Sequence, residues 1–456
     1  MNPIDESEIS RTIAAARAAF AAWSIAPLED RAGFLLALEQ HYRASKEKIA
    51  AVISSETGKP LWESRQEVDS MAGKIPISID AHGLRCREQS RPLADAVGFT
   101  RFRPHGVLAV LGPFNMPGHL PNGHVVPALL AGNTVVFKPS EQTPHVGQAI
   151  ADSFLAANFP LGVFNLIQGG KETGALLARH RGVNGVLFTG STAGGIALGR
   201  ATADDPGKIL ALEMGGNNPL IVHQTHDLAA AAYIIVQSAY ITAGQRCSCA
   251  RRLILIRGPE SDALIQRLLA MIQSIRIGFP TDDPQPFMGP VISAQAAQNL
   301  LAAQADLLGG GGVALAEMKP SSRSPALLTP GLIDVTGIAN RPDAEFFGPL
   351  LQMIRVDDFD SAIREANNTA YGLSAGLISD NSELFEKFLR EIRAGVLAWN
   401  KPLTGASSQL PFGGIGQSGN HRPGGSFAAD YASYSLASLE SPHARLPAQL
   451  PPGIVI

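Results

Sequence analysis

Five short apolar runs, VLAVL at 107–111, TVVF at 134–137, VFNLI at 163–167, GVLF at 185–188 and ILALE at 209–213, are separated by stretches of helical periodicity. Strands alternating with helices of roughly 10–15 residues predict a parallel sheet wrapped by helices. A second series opens near Pro219, with LIV at 220–222, a long apolar segment from Leu228 to Ala243, LILI at 253–256, a helical stretch around 263–275, and strands near Leu351 and Val396. It predicts a second parallel α/β layer. Ahead of both, Ile9, Ile13, Ala16, Phe20 and Trp23 fall near a 3.6 spacing, and Glu29 to Tyr42 carries another apolar face, so the first 80 residues read as covering helices. The GGGG at 309–312 and SSRSP at 321–325 read as surface loops, and Tyr431 to Leu439 as an isolated strand pairing with another element or another subunit.

At 456 residues the chain has room for two or three domains with large cores. Its 37 basic and 40 acidic side chains leave a net charge of −3 with no long run of one sign, which argues against nucleic acid and anionic membranes as partners. The most apolar stretch, Leu228 to Ala243, is shorter than the roughly 20 residues that span a bilayer and reads as a buried helix. MNPIDESEIS offers acid where an export signal needs positive charge. Three cysteines, two of them one residue apart, make no disulfide framework and fit a reducing cytoplasm.

Chemistry concentrates at strand ends. Cys247, in AGQRCSCARR, is flanked by small and polar residues with Arg246, Arg251 and Arg252 nearby to favour a thiolate, whereas Cys249 reads as a packing or near-site residue. Glu213 closes an apolar strand just before two glycines, so its carboxyl emerges where α/β sheets hold ligands, partly desolvated and raised toward the range of a general base. Asn115 sits between Pro113 and Pro117 on a stiff loop, an amide donor suited to an oxyanion. Gly190 and Gly195 bracket GSTAGG after a strand, a context for phosphate, and Lys138 with Glu141 follow another strand where they would meet ribose hydroxyls. The P-loop, H-E-x-x-H and G-x-S-x-G patterns are absent, as is histidine at metal spacing, so no metal is expected.

In order along residues 10–440, PFNMP, FKPSEQTP, FTGS, LEMGG, GQRC, MGPVIS, EFFGP and PFGGIGQSG resemble the aldehyde dehydrogenase superfamily. Longer strings, among them LEMGGNNPLI and NKPLTGASS, look like a branch that oxidises an acidic semialdehyde. The resemblance implies a Rossmann-like NAD-binding domain over 1–84 and 104–218, a catalytic domain over 219–428, and a β oligomerisation arm from 85–103 and 429–456, assembled as a homodimer or homotetramer. It implies Cys247 as nucleophile, Glu213 as general base and Asn115 as oxyanion donor. Lys138 and Glu141 would hold the adenosine ribose of NAD, Gly190, Ser191 and Gly195 would lie near the pyrophosphate, and Glu345 with Phe347 would place the nicotinamide ribose and ring. A carboxylate facing the 2′-hydroxyl favours NAD over NADP. For the acidic tail of a small-molecule aldehyde, Arg246, Lys401, Thr404, Ser407 and Arg422 are the candidates.

Two departures from the family pattern stand out. The chain opens directly at a helix, where relatives carry a strand-bearing segment of about 25 to 35 residues. Position 194 is glycine where a bulkier residue is frequent. The alternatives are a dehydrogenase of another acidic semialdehyde and a binding or structural protein that keeps the fold without catalysis.

Overall fold

A computed structural model of the chain describes residues 5–94, 96–447 and 449–455. The reading of residues 1–4 as part of a segment without export character lies outside those residues. Four helices come first: α1 (Glu6–Trp23), α2 (Leu28–Ala44), α3 (Lys46–Thr57) and α4 (Leu61–Arg85). Asp5 caps α1 by accepting the Ser7 amide at 3.1 Å, and the helix buries Ile9, Ile13, Ala16 and Trp23, the face set by their spacing. Strands β1 (Gln89–Pro92) and β2 (Val97–Pro104) follow as an antiparallel pair.

The first α/β layer then alternates strictly: β3 (Val107–Leu111), α5 (His119–Leu130), β4 (Thr134–Lys138), α6 (Pro144–Ala156), β5 (Phe164–Leu166), α7 (Lys171–Arg179), β6 (Gly185–Thr189), α8 (Thr192–Thr202) and β7 (Ile209–Glu213). The five strands are parallel in the order β5-β4-β3-β6-β7. Strand order reverses between β3 and β6, so their following loops diverge and leave a crevice at the carboxyl edge of the sheet. Asn115 follows β3, Lys138 ends β4, Ser191 follows β6 and Glu213 ends β7, so one sheet edge carries all four.

The second layer holds β8 (Asn218–Val222), α9 (Leu228–Tyr240), β9 (Ala250–Ile256), β10 (Val313–Ala316), the hairpin β11 (Pro320–Ser321) and β12 (Ser324–Leu328), β13 (Gly331–Asp334), β14 (Leu350–Val356), β15 (Ser374–Ile378) and β16 (Val396–Trp399). Its seven-stranded order is β10-β13-β14-β9-β8-β15-β16, parallel except where β10 runs against β13. Two expectations change. SSRSP is not a bare loop, because its backbone pairs across the β11–β12 hairpin. The long apolar segment is not one helix: α9 stops at Tyr240 and a 3₁₀ turn follows at Ile241–Gly244, with Thr242 and Ala243 in the left-handed region at φ 58° and 51°. Strain of this kind just ahead of Cys247 is held by the packed surroundings. After a short pair, β17 (Pro411–Phe412) and β18 (Gly424–Gly425), the chain ends its regular structure in β19 (Ser433–Glu440), antiparallel to β2. The isolated late strand therefore finds its partner in this same chain.

Candidate active site

Asn115 is placed by a buried strut from the N-terminal helices. The Lys59 ammonium donates to the Asn115 carbonyl at 3.0 Å and pairs with the Glu67 carboxylate. Glu67 in turn accepts the Gly118 amide at 2.8 Å and the His119 amide at 3.2 Å, at the start of α5. Both ends of the loop are thereby fixed by one ion pair whose charges have partners, the condition under which a buried pair is tolerated. Among the described residues the Asn115 carboxamide has no hydrogen-bond partner, and it lines a cavity of about 220 Å³.

Glu213 faces the same cavity from the end of β7. One carboxyl oxygen, Oε1, accepts the Gly424 amide at 3.0 Å, while Oε2 is buried and has no partner among the described residues. Burial pushes its pKa well above the ordinary carboxyl value, and the single amide bond offsets little of that. The sequence-based expectation of a raised carboxyl is met. Burial of this kind favours the protonated carboxyl over the carboxylate.

Cys247 lies on the loop between the strained 3₁₀ turn and β9 and opens onto the cavity. Asn218 Nδ2 donates to the carbonyls of Cys247 at 2.6 Å and Cys249 at 2.9 Å, and the Arg251 guanidinium donates to the carbonyls of Gly244 and Arg246. Here the expected thiolate is corrected. Burial raises the Cys247 thiol to about 12, and the Glu345 and Glu213 carboxylates push it the same way. The three arginines are occupied elsewhere: Arg246 on Glu63, Arg251 on loop carbonyls, and Arg252 on the carbonyls of Asn217, Glu365 and Ala366. Burial therefore favours the neutral thiol at Cys247. Cys249 is fully buried, the packing residue expected.

Along the rest of the sheet edge, Lys138 is buried with its ammonium on the carbonyls of Pro139 and Gly169 at 2.7 and 2.9 Å, while Glu141 stands in solvent 3.9 Å away. Ser191 caps α8 through Gly194, and the Gly190 amide donates to the Glu213 carbonyl at 3.0 Å. Gly195 packs against the Met214 side chain, which would have to shift to admit a Cβ. Glu345 lies over the bare backbone of Gly215 and Gly216, accepts the Gly216 amide at 3.3 Å and sits 3.6 Å from Arg251. The Phe347 ring packs edge to face on Phe114 and under the Arg251 guanidinium. The residues fit a dinucleotide: an ammonium and a carboxylate at one strand end suit ribose hydroxyls, and a capped helix start suits a pyrophosphate.

The substrate candidates divide. Arg246, Thr404 and Ser407 line the cavity. Lys401 and Arg422 do not; both are exposed. Asn400, at φ 51° and bonded through its carboxamide to Ser379, turns the chain so that Lys401 meets water, and Arg422 follows His421, which turns at φ 61°. Arg246 reaches the cavity with its charge already matched by Glu63 at 3.0 Å. Sequence reasoning passed over Ser70, Lys74, His119, His124 and Tyr431, all in the cavity wall. His124 bonds Tyr431 Oη at 2.8 Å and Thr189 Oγ1 at 3.0 Å, and burial drives its pKa to about 3. Among the described residues no acid, cysteine and histidine cluster could hold a metal, and no helix is long and apolar enough to cross a membrane.

The sequence pattern of the aldehyde dehydrogenase family matches residues 1–435. This chain belongs to the aldehyde dehydrogenase family. An N-succinylglutamate 5-semialdehyde dehydrogenase of Ectopseudomonas mendocina (strain ymp) is 53% identical over 450 residues, covering 99% of this chain and 92% of that protein. A Burkholderia cenocepacia structure described as a putative aldehyde dehydrogenase superposes with TM-score 0.92 at 30% identity, over 98% of this chain and 92% of that one. A glyceraldehyde-3-phosphate dehydrogenase from Methanocaldococcus jannaschii, solved with NADP, superposes with TM-score 0.88 at 26% identity, over 97% and 96% of the two chains. The chain shares this two-layered α/β fold with both solved structures.

Proposed function

We propose that this family member oxidises N-succinylglutamate 5-semialdehyde to N-succinylglutamate with NAD, in the catabolism of arginine by a succinylated route. The observation that carries the reading is the convergence of Cys247, Glu213 and Asn115 on one cavity, each with its reacting group unpartnered or open to it. The specific substrate is supported by the 53% identical relative, and the preference for NAD by the Glu141 carboxylate at the ribose end of the sheet edge.

Cys247 Sγ bonds the aldehyde carbon while its proton passes to Glu213 in the carboxylate form. Negative charge on the former carbonyl oxygen falls against the Asn115 carboxamide and the Cys247 backbone amide. A nicotinamide dinucleotide, when bound, supplies the hydride acceptor and is the oxidant in the balance. Loss of hydride leaves a thioester on Cys247. Glu213, its proton returned to solvent, takes a proton from water whose oxygen attacks that thioester, and the Cys247 sulfur leaves as the acid forms. Lys138 and Glu141 would hold the adenosine ribose, Ser191 with Gly190 and Gly195 the pyrophosphate, and Glu345 with Phe347 the nicotinamide ribose and ring.

The same reading assigns residues 1–84 and 104–218 to NAD binding, 219–428 to catalysis, and 85–103 with 429–456 to assembly as a homodimer or homotetramer in the cytoplasm. A panel of aldehydes tests it, with reduced-cofactor absorbance followed under NAD and under NADP. Highest kcat/KM with the succinylated semialdehyde and NAD supports the reading; a higher value with a neutral aldehyde or with NADP contradicts it.

A further inference from the structure

Lys74 projects from α4 into the wall of the reacting cavity and is 2% exposed. Its ammonium donates to the Gly425 carbonyl at 2.8 Å, and among the described residues no carboxylate reaches it within 4.0 Å. Arg246, the other cation in that wall, is in a different state: Glu63 answers its charge, while Thr242 and the Thr404 carbonyl occupy further donors. An ammonium taken out of water without a counter-ion is costly to maintain, and a bond to one carbonyl needs only a neutral donor. A second polar group waits beside it. His119 lies in the same wall, and among the described residues its buried Nδ1 has no hydrogen-bond partner.

We propose that Lys74 anchors a carboxylate of the substrate and so determines the preference for acidic semialdehydes. The inference rests on the proposed function, because N-succinylglutamate 5-semialdehyde carries two carboxylates beyond its reacting carbon. Arriving acid supplies the missing counter-ion, and the pair is strong because the cavity excludes water. A neutral aldehyde leaves the ammonium as it is and gains nothing from it.

The test compares the full-length enzyme and Lys74→Gln, which keeps a donor for Gly425 but removes the charge, on the succinylated semialdehyde and on hexanal with NAD. Lys74→Gln is expected to lose about 10- to 100-fold in kcat/KM on the acidic substrate, chiefly through KM, as for a charged hydrogen bond. On hexanal it stays within about threefold in kcat/KM, a difference between substrates that a structural role would not give. Lys74→Arg keeps the acid-over-neutral ratio within about tenfold. Equal losses on both substrates, or an unchanged ratio, overturn the assignment. Thermal unfolding checks the variants, and Lys74→Met gives the same comparison where Lys74→Gln does not fold. If the unaltered enzyme shows no preference for acid, the proposed function fails; if the preference exists and survives Lys74→Gln, only the role of Lys74 fails.

Discussion

The inner cavity and the outer edge of the five-stranded sheet are built from similar residues and treat them in opposite ways. At the outer edge the buried Lys138 ammonium is satisfied by two carbonyls and Glu141 is left in solvent. In the cavity, among the described residues, buried Glu213 Oε2 lacks a partner and Lys74 lacks a counter-ion, and burial pushes the Cys247 thiol up and Lys74 down to about 8. Satisfied groups shape a surface for binding. Unsatisfied buried groups hold free energy that a reacting or anionic partner releases.

The largest break in that contrast is Cys247→Ala, which removes the sulfur proposed to bond the aldehyde carbon. Turnover is expected to fall at least about 10⁴-fold while calorimetric NAD affinity holds, since the outer edge is untouched. Asn115→Ala should lower kcat by about 10²-fold or more, the usual cost of one oxyanion donor, with unfolding temperature little changed because Lys59 holds the backbone of residue 115 rather than its side chain. The raised thiol makes a pH prediction. With a pKa of about 12, thiolate grows tenfold per pH unit across the neutral range, so alkylation of Cys247 by iodoacetamide in the cofactor-free protein should rise about 100-fold from roughly pH 7 to 9 without a plateau. A plateau below pH 8 would mean a stabilised thiolate. The smallest effect belongs to the outer edge: Glu141→Ala, exposed and screened, should narrow the NAD-over-NADP ratio by about tenfold or less in steady-state assays.

Legibility in the sequence follows the same division by contact range. Strands buried on both faces read as unbroken apolar runs, as β3 and most of β4 do, so they are visible in the sequence alone. Asn115, Glu213 and Cys247 are visible because local chain features, two prolines, a strand ending in glycines, a small-residue loop, carry their chemistry. Lys74 is not. In DSMAGKIPIS it looks like a solvated helix lysine, and only the approach of Gly425, 351 positions away, buries it. Lys401 and Arg422 fail for the converse reason: a charge in a loop near the site looks the same whether positive-φ turns at Asn400 and His421 send it inward or to water. The arginines around Cys247 were misleading because sequence proximity does not show that carbonyls and Glu63 already occupy them.

The central claim is that Cys247 and Glu213 act in succession from one cavity. Rapid mixing of Glu213→Gln with NAD and the succinylated semialdehyde tests it most directly. One equivalent of reduced cofactor per Cys247 should form in a fast phase, followed by a steady rate about 10²- to 10³-fold below the unaltered enzyme, with the acyl group found on the Cys247 peptide. A linear time course at the unaltered rate, or a fast phase without acylated Cys247, would contradict it.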